Sequence, residues 1–282
     1  MLIRLGYDLE FELSTPVPMI ALLHVHPSRM HDLLEPDEIE TEPKINVRHY
    51  FDSFGNRCAR FVAPAGRFKL SSRTLIQDSG RLDEVNLDAG ETPISELPDE
   101  LFRYLLSSRY CEVDQFTNIA FNLFGQVKPG WSRVQAICDW VHEWIKFDYQ
   151  QARPTKTAMD VYNERVGVCR DFQHLAITMC RALNIPARYT TGYLGDIGVP
   201  IVLPMDFSAW FEVWLEGRWW TFDARNNQPR IGRVLMATGL DAADVAITTS
   251  FGQANLTHFF VVADEEKPAP ATSERAVLEP CS

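Results

Sequence analysis

Residues 165–194 read RVGVCRDFQHLAITMCRALNIPARYTTGYL, and this stretch decides the architecture. Gly167 marks a turn, and Cys169 follows at the start of a helical pattern. Phe172, Leu175, Ala176, Met179 and Leu183 fall on one stripe of that helix, the spacing of an amphipathic helix lying on a core. Pro186 ends the helical region, and 187–194 then reads as a strand. The first turn of a helix offers unpaired N–H groups and a partial positive charge, which favour a thiolate. Cys169 is therefore the first residue to consider for chemistry, although most cysteines are small buried apolar groups.

Further along, residues 206–225 read DFSAWFEVWLEGRWWTFDAR. Glu216-Gly217 suits a two-residue hairpin turn. That turn pairs Leu215 with Arg218 and sets Trp210 opposite Asp223. Ser208 lies two residues before Trp210, hence on the same strand face, and diagonal to Asp223. Asp206 precedes Ser208 by two and shares its face. If that face turns toward the Cys169 helix, Cys169, Ser208 and Asp223 converge. Trp210, Trp214, Trp219 and Trp220 are cross-strand core partners or an aromatic substrate wall, with Trp210 and Asp206 the candidates for substrate contact.

The remainder divides into three parts. Residues 1–95 carry period-2 alternation, with Ile3, Leu5, Tyr7, Leu9, Phe11 and Leu13 the clearest run. Strand-like pieces follow near 20–26, 46–51, 57–64 and 67–72, separated by Gly-containing turns, the pattern of a β-sandwich or small barrel. Residues 96–263 bring helices near 101–106, 118–124, 130–145 and 157–164, then the Cys169 helix, then strands at 187–194, 208–215, 218–223 and 257–262. Helices followed by an antiparallel sheet make this part α+β. Residues 264–282, rich in Pro, Ala and charge, read as a flexible tail.

The chain has 282 residues, 27 Lys and Arg against 38 Asp and Glu, and a net charge of −11. This balance argues against a general binder of nucleic acid or anionic membrane, which needs clustered positive charge. No apolar run approaches a membrane span, and residues 1–13 read as a strand, not a signal peptide. The six cysteines are sparse and form no CxxC pair, so a reducing, cytoplasmic setting with free thiols is expected. No metal site and no cofactor are expected. The His24-Val25-His26 spacing puts two imidazoles on one strand face without an evident third ligand.

The run GVCRDFQHLAITMCRALNIPARYTTGYLGD, followed by AWFEVWLEGRWWTFDA, resembles the bacterial transglutaminase-like superfamily of papain-like cysteine proteases. RNNQPRIGRVLMATGLDAADVAITTSFG resembles the same bacterial subgroup, and the β-rich amino-terminal part resembles the domain that often precedes this core. The resemblance covers about residues 130–250. It implies a papain-like core, a peptide or protein substrate, a Cys–His–Asp triad and acyl transfer from an amide through a thioester.

Carried over position by position, Cys169 matches the nucleophile and Asp223 the orienting carboxylate, but the histidine position holds Ser208. Serine cannot bridge a thiol to a carboxylate, and losing a general acid/base costs about 10²–10⁴ in rate. His174 lies five residues after Cys169, about 140° around the helix, and points elsewhere. His142 sits on the preceding helix, and His258 is the remaining substitute. Two functions follow: a cysteine amidase or acyl transferase with an unconventional base, or a catalytically impaired relative that binds peptides or proteins. With Asp223 in place to orient an imidazole, Ser208→His is expected to raise amidase activity.

Overall fold

A computed structural model describes residues 1–202 and 204–266. The amino-terminal part is built from β1 (Leu2–Leu13), β2 (Val17–Ala21), β3 (Glu40–Glu42), β4 (Arg48–Phe51), β5 (Arg57–Ala63) and β6 (Gly66–Gln77). Then come α1 (Val113–Phe124), α2 (Trp131–Trp144), β7 (Lys146–Phe147), α3 (Ala158–Glu164), β8 (Val166–Gly167) and α4 (Cys169–Ala182). The chain continues through β9 (Ala187–Leu194), β10 (Ser208–Leu215), β11 (Arg218–Phe222), β12 (Arg233–Gly239), β13 (Thr248–Ser250) and β14 (Asn255–Glu265). The fold is α+β, as the helix-then-strand pattern predicts.

Two four-stranded sheets form a sandwich, one in the order β14-β1-β6-β3 and the other β13-β2-β5-β4. A third sheet, β11-β10-β9-β12, belongs to the core and is antiparallel throughout. The strand expected at 257–262 therefore does not join the core sheet, and neither does β13, which the sequence reading did not include. β14 pairs with β1 from Ile3↔Glu265 to Glu12↔Asn255, and β13 pairs with β2. Asp264 and Glu265, assigned from sequence to the tail, close this β14 ladder; residues 267–282 of that tail lie outside the described residues. The physical reason is edge protection: β1 and β2 would otherwise leave unpaired N–H and C=O groups.

α4 is the central element. Phe172, Leu175, Ala176, Ile177, Met179 and Cys180 are all buried in one apolar cluster with Ala209, Phe211 and Val213 of β10. Burying this many apolar side chains, at about 1.5–3 kcal/mol each, makes the helix a core member on every side. A second cluster holds the sandwich interior together with Tyr193, Phe207, Val234 and Met236. The core sheet thus contacts α4 and its neighbours on one side and the sandwich on the other. Among the described residues no helix is long and apolar enough to cross a membrane.

The hairpin register is the predicted one. Leu215 pairs with Arg218 and Phe211 with Phe222. Glu216 (φ 49°) and Gly217 (φ 79°) are both left-handed, as the two-residue turn requires.

Candidate active site

Cys169 is the first residue of α4, after the extended Val168. Asp171 folds back so that its Oδ2 accepts from the Val168 N–H at 2.9 Å. This needs Gly167: a Cβ there would lie 2.7 Å from the Asp171 Cβ and Oδ2. The sequence therefore holds the cysteine at a helix start by a local side-chain cap.

Cys169 lines a small cavity of about 70 Å³ together with Tyr149, Asp206, Ser208, Arg225 and Arg230. Sequence reasoning missed Tyr149, which reaches the site from the segment between α2 and α3. Burial is the main reason the Cys169 pKa is pushed up to about 11, and the nearby Asp206 charge adds to it. Arg225 and the Arg170 backbone act in the opposite direction. Desolvation therefore opposes the thiolate expected at this helix start.

Ser208 and Asp206 reach the same cavity as Cys169, but Asp223 does not line it. Asp223 lines a neighbouring groove with Trp131, Cys138 and Arg233. It is buried and saturated. Its Oδ1 accepts from Gln173 Nε2 at 3.1 Å and from the Arg225 and Asn226 N–H groups, each at 3.0 Å. Its Oδ2 accepts from Asn226 Nδ2 at 2.8 Å and Arg233 Nη2 at 2.9 Å. Burial alone would raise this carboxyl, but the Arg233 charge and the Asn226 hydrogen bonds hold it below its ordinary value. Arg233 is shared with Asp83, whose Oδ2 accepts from Nε at 2.8 Å.

Gln173, one helical turn after Cys169, spans the space between helix and hairpin. Its Nε2 also donates to the Ala209 carbonyl at 3.2 Å, and its Oε1 accepts from the Ala224 N–H at 3.2 Å. Gln173 and Arg233 are the partners that sequence reasoning missed. Gln173 stands in the quoted run four residues after Cys169, so its position was available; Arg233 comes from β12 and carried no local signal.

The hairpin face also differs from expectation. Ala209, Phe211 and Val213, not Ser208 and Trp210, face α4. Ser208 reaches the cavity because it is the first residue of β10. Trp210 is 2% exposed, packs beside Gly192 and lies under Arg233, whose guanidinium carbon is 5.2 Å from the ring centroid. It is absent from the lining of the Cys169 cavity, so as a substrate contact there it is corrected. The reason is that apolar odd-numbered residues win the helix-facing side by burial.

Among the described residues no histidine lines the cavity. His174 is buried, stacks on Tyr110 with centroids 4.9 Å apart, and accepts the Ala242 N–H on Nε2 at 3.1 Å. His142 is exposed and donates from Nδ1 to the Ala224 carbonyl at 3.3 Å. His258 is exposed on β14 opposite Glu10. His24 is buried against Asp37, with Nδ1 and Oδ2 3.2 Å apart. Among the described residues no cluster of three or more His, Cys, Asp or Glu could hold a metal ion.

A helix-borne cysteine packed on an antiparallel sheet, behind a β-sandwich, defines a class that known proteins share. A family model described as the transglutaminase-like superfamily matches residues 117–224. The crystal structure of a candidate cysteine protease from Cytophaga hutchinsonii superposes with a TM-score of 0.83 at 30% identity, covering 96% of this chain and 93% of that one. A Mycobacterium leprae protein is 23% identical over 217 residues, 74% of this chain and 77% of its own length. The periplasmic domain of TgpA from Pseudomonas aeruginosa matches at 20% identity and a TM-score of 0.38, covering 79% and 73% of the two chains. The chain belongs to the transglutaminase-like superfamily, whose fold suggests chemistry of the cysteine protease or acyltransferase type.

Proposed function

We propose that this chain is a catalytically impaired member of the superfamily whose Cys169 cleft recognises a peptide or protein segment. The observation that carries this reading is the saturation of Asp223 by Gln173, Asn226 and Arg233, beside a serine at the imidazole position. A triad works because the carboxylate orients an imidazole that takes the thiol proton and later returns it to the leaving amine. Here the carboxylate has no free lone pair for a ring, and among the described residues no imidazole lines the cavity. A thiol with a pKa of about 11 is ionised at pH 7 to about one part in 10⁴. The absent acid/base costs a further 10²–10⁴ or so in rate. The expected setting stays cytoplasmic and reducing, in keeping with five free cysteines among the described residues.

Alkylation by iodoacetamide as a function of pH, with Cys169→Ala as control, tests the proposal. The expected midpoint for Cys169 lies near pH 11, with no turnover of peptide amides at pH 7. The competing reading, an amidase with an unconventional base, is favoured by the Arg225 charge near the thiol. It wins if Cys169 titrates near neutrality and amide turnover disappears in Cys169→Ala.

A further inference from the structure

Two of the four charges lining the Cys169 cavity are consumed by each other. Arg230 pairs with Asp196 at 3.3 Å and donates to the Asn226 side chain and the Gly195 carbonyl. Two charges are left over. The Arg225 guanidinium makes no ion pair among the described residues and is held over the Phe147 ring, 4.3 Å from its centroid. The Asp206 carboxylate likewise has no ion-pair partner among the described residues. Both line the same cavity as Cys169 and Tyr149. They feel each other: desolvation leaves the Asp206 carboxyl above its ordinary value, with the Phe207 N–H and then the Arg225 charge pulling against it, and Asp206 keeps an exposed face. Yet no nitrogen of one lies within ion-pair distance of an oxygen of the other, so a cation and an anion face one cavity with a gap between them.

That gap has a definite chemical complement. Counting Arg225 and Arg230 against Asp196 and Asp206, the lining is electrically neutral. A lone anion would meet Asp206 and a lone cation would meet Arg225, so each is penalised by the like charge. A group carrying both charges a few ångströms apart satisfies both at once. We propose that the Cys169 cavity binds the zwitterionic head group of an α-amino acid, its carboxylate on Arg225 and its ammonium on Asp206. This rests on the recognition reading of the same cleft and narrows its ligand from a peptide segment to a single head group. The Arg225 fork suits a carboxylate bidentately. A volume of about 70 Å³ fits a head group and a short stem. The head group belongs either to a free amino acid or to the end of a γ-glutamyl peptide.

Calorimetric titration of the full chain with alanine, glutamine and γ-glutamylalanine reads this directly, with N-acetylalanine and alaninamide as blocked controls. At least one zwitterion is expected to bind saturably, and neither blocked compound is. Preference for alanine or glutamine identifies a free amino acid, and preference for the dipeptide a γ-linked head group. Arg225→Ala and Asp206→Asn should each weaken binding by about tenfold or more, the scale of one lost charge-assisted hydrogen bond. Circular dichroism and melting confirm that both variants fold. Absence of zwitterion binding up to the solubility limit, equal binding of N-acetylalanine, or unaltered binding by either folded variant overturns the proposal. These outcomes are independent of the alkylation profile. A zwitterion that binds and is also turned over by Cys169 sinks the recognition reading and leaves the head-group assignment standing.

Discussion

Asp223 is where reading residues in order and reading them in space part company. Its register opposite Trp210 follows from a turn seven residues away, and the structure keeps that register through Phe211↔Phe222. Its partners come from elsewhere: Gln173 from α4, Arg233 from β12. The structure therefore removes the premise on which Ser208→His was expected to restore activity. Ser208→His alone should show no amidase turnover of a peptide p-nitroanilide above the Cys169→Ala background, because Asp223 has no free oxygen left to orient the ring. Arg233→Met breaks a buried pair and leaves Asp223 uncompensated, a change that costs about 3–5 kcal/mol. Urea unfolding should place its midpoint well below that of the parent chain.

At the scale of elements, α4 and the β10–β11 hairpin were legible because their determinants are local. A stripe at helical spacing, a glycine before the cap and a Glu-Gly turn act over a few residues, and each is found where the pattern put it. The face that β10 turns to α4 was not legible. Both faces carry large apolar side chains, Trp210 and Trp214 on one, Phe211 and Val213 on the other, so alternation alone does not choose. The strand β14 was legible as a strand but not as a partner of β1, since pairing across some 250 residues leaves no trace in periodicity. One contact ties that returning strand to the core: a Cβ on Gly195 would collide with the Ala263 carbonyl. Gly195→Ala should cost about 1–3 kcal/mol by overpacking. Thermal melting is the measurement, with faster amide exchange expected along β14.

For the whole molecule, half-buried His26 and buried His174 contribute to the response to acid. Burial lowers the His26 pKa to about 4, and burial pushes His174 well below its ordinary value. Both stay neutral in the folded protein while the unfolded chain binds protons below about pH 6.5. Stability is therefore fully present above about pH 6.5 and falls as the pH drops toward about 4. Asp223, held below its ordinary value, adds a loss at still lower pH, where it must be protonated to unfold. Urea midpoints measured between about pH 7 and pH 4 should decline steadily, and His26→Gln should flatten the decline. A midpoint independent of pH over that window would show that these imidazoles titrate alike in both states.

The sequence by itself determined the Cys169 helix, the hairpin register and that a serine stands at position 208. Each depends on hydrogen bonds and alternation among near neighbours, or on the identity of a single residue. Only the tertiary structure decided that Asp223 belongs to Arg233 and Gln173, that burial outweighs the helix start at Cys169, and that Arg225 and Asp206 face one cavity unpaired. Charge pairing and desolvation depend on which distant segments are packed together. That is settled by long-range burial, which acts on the folded chain as a whole.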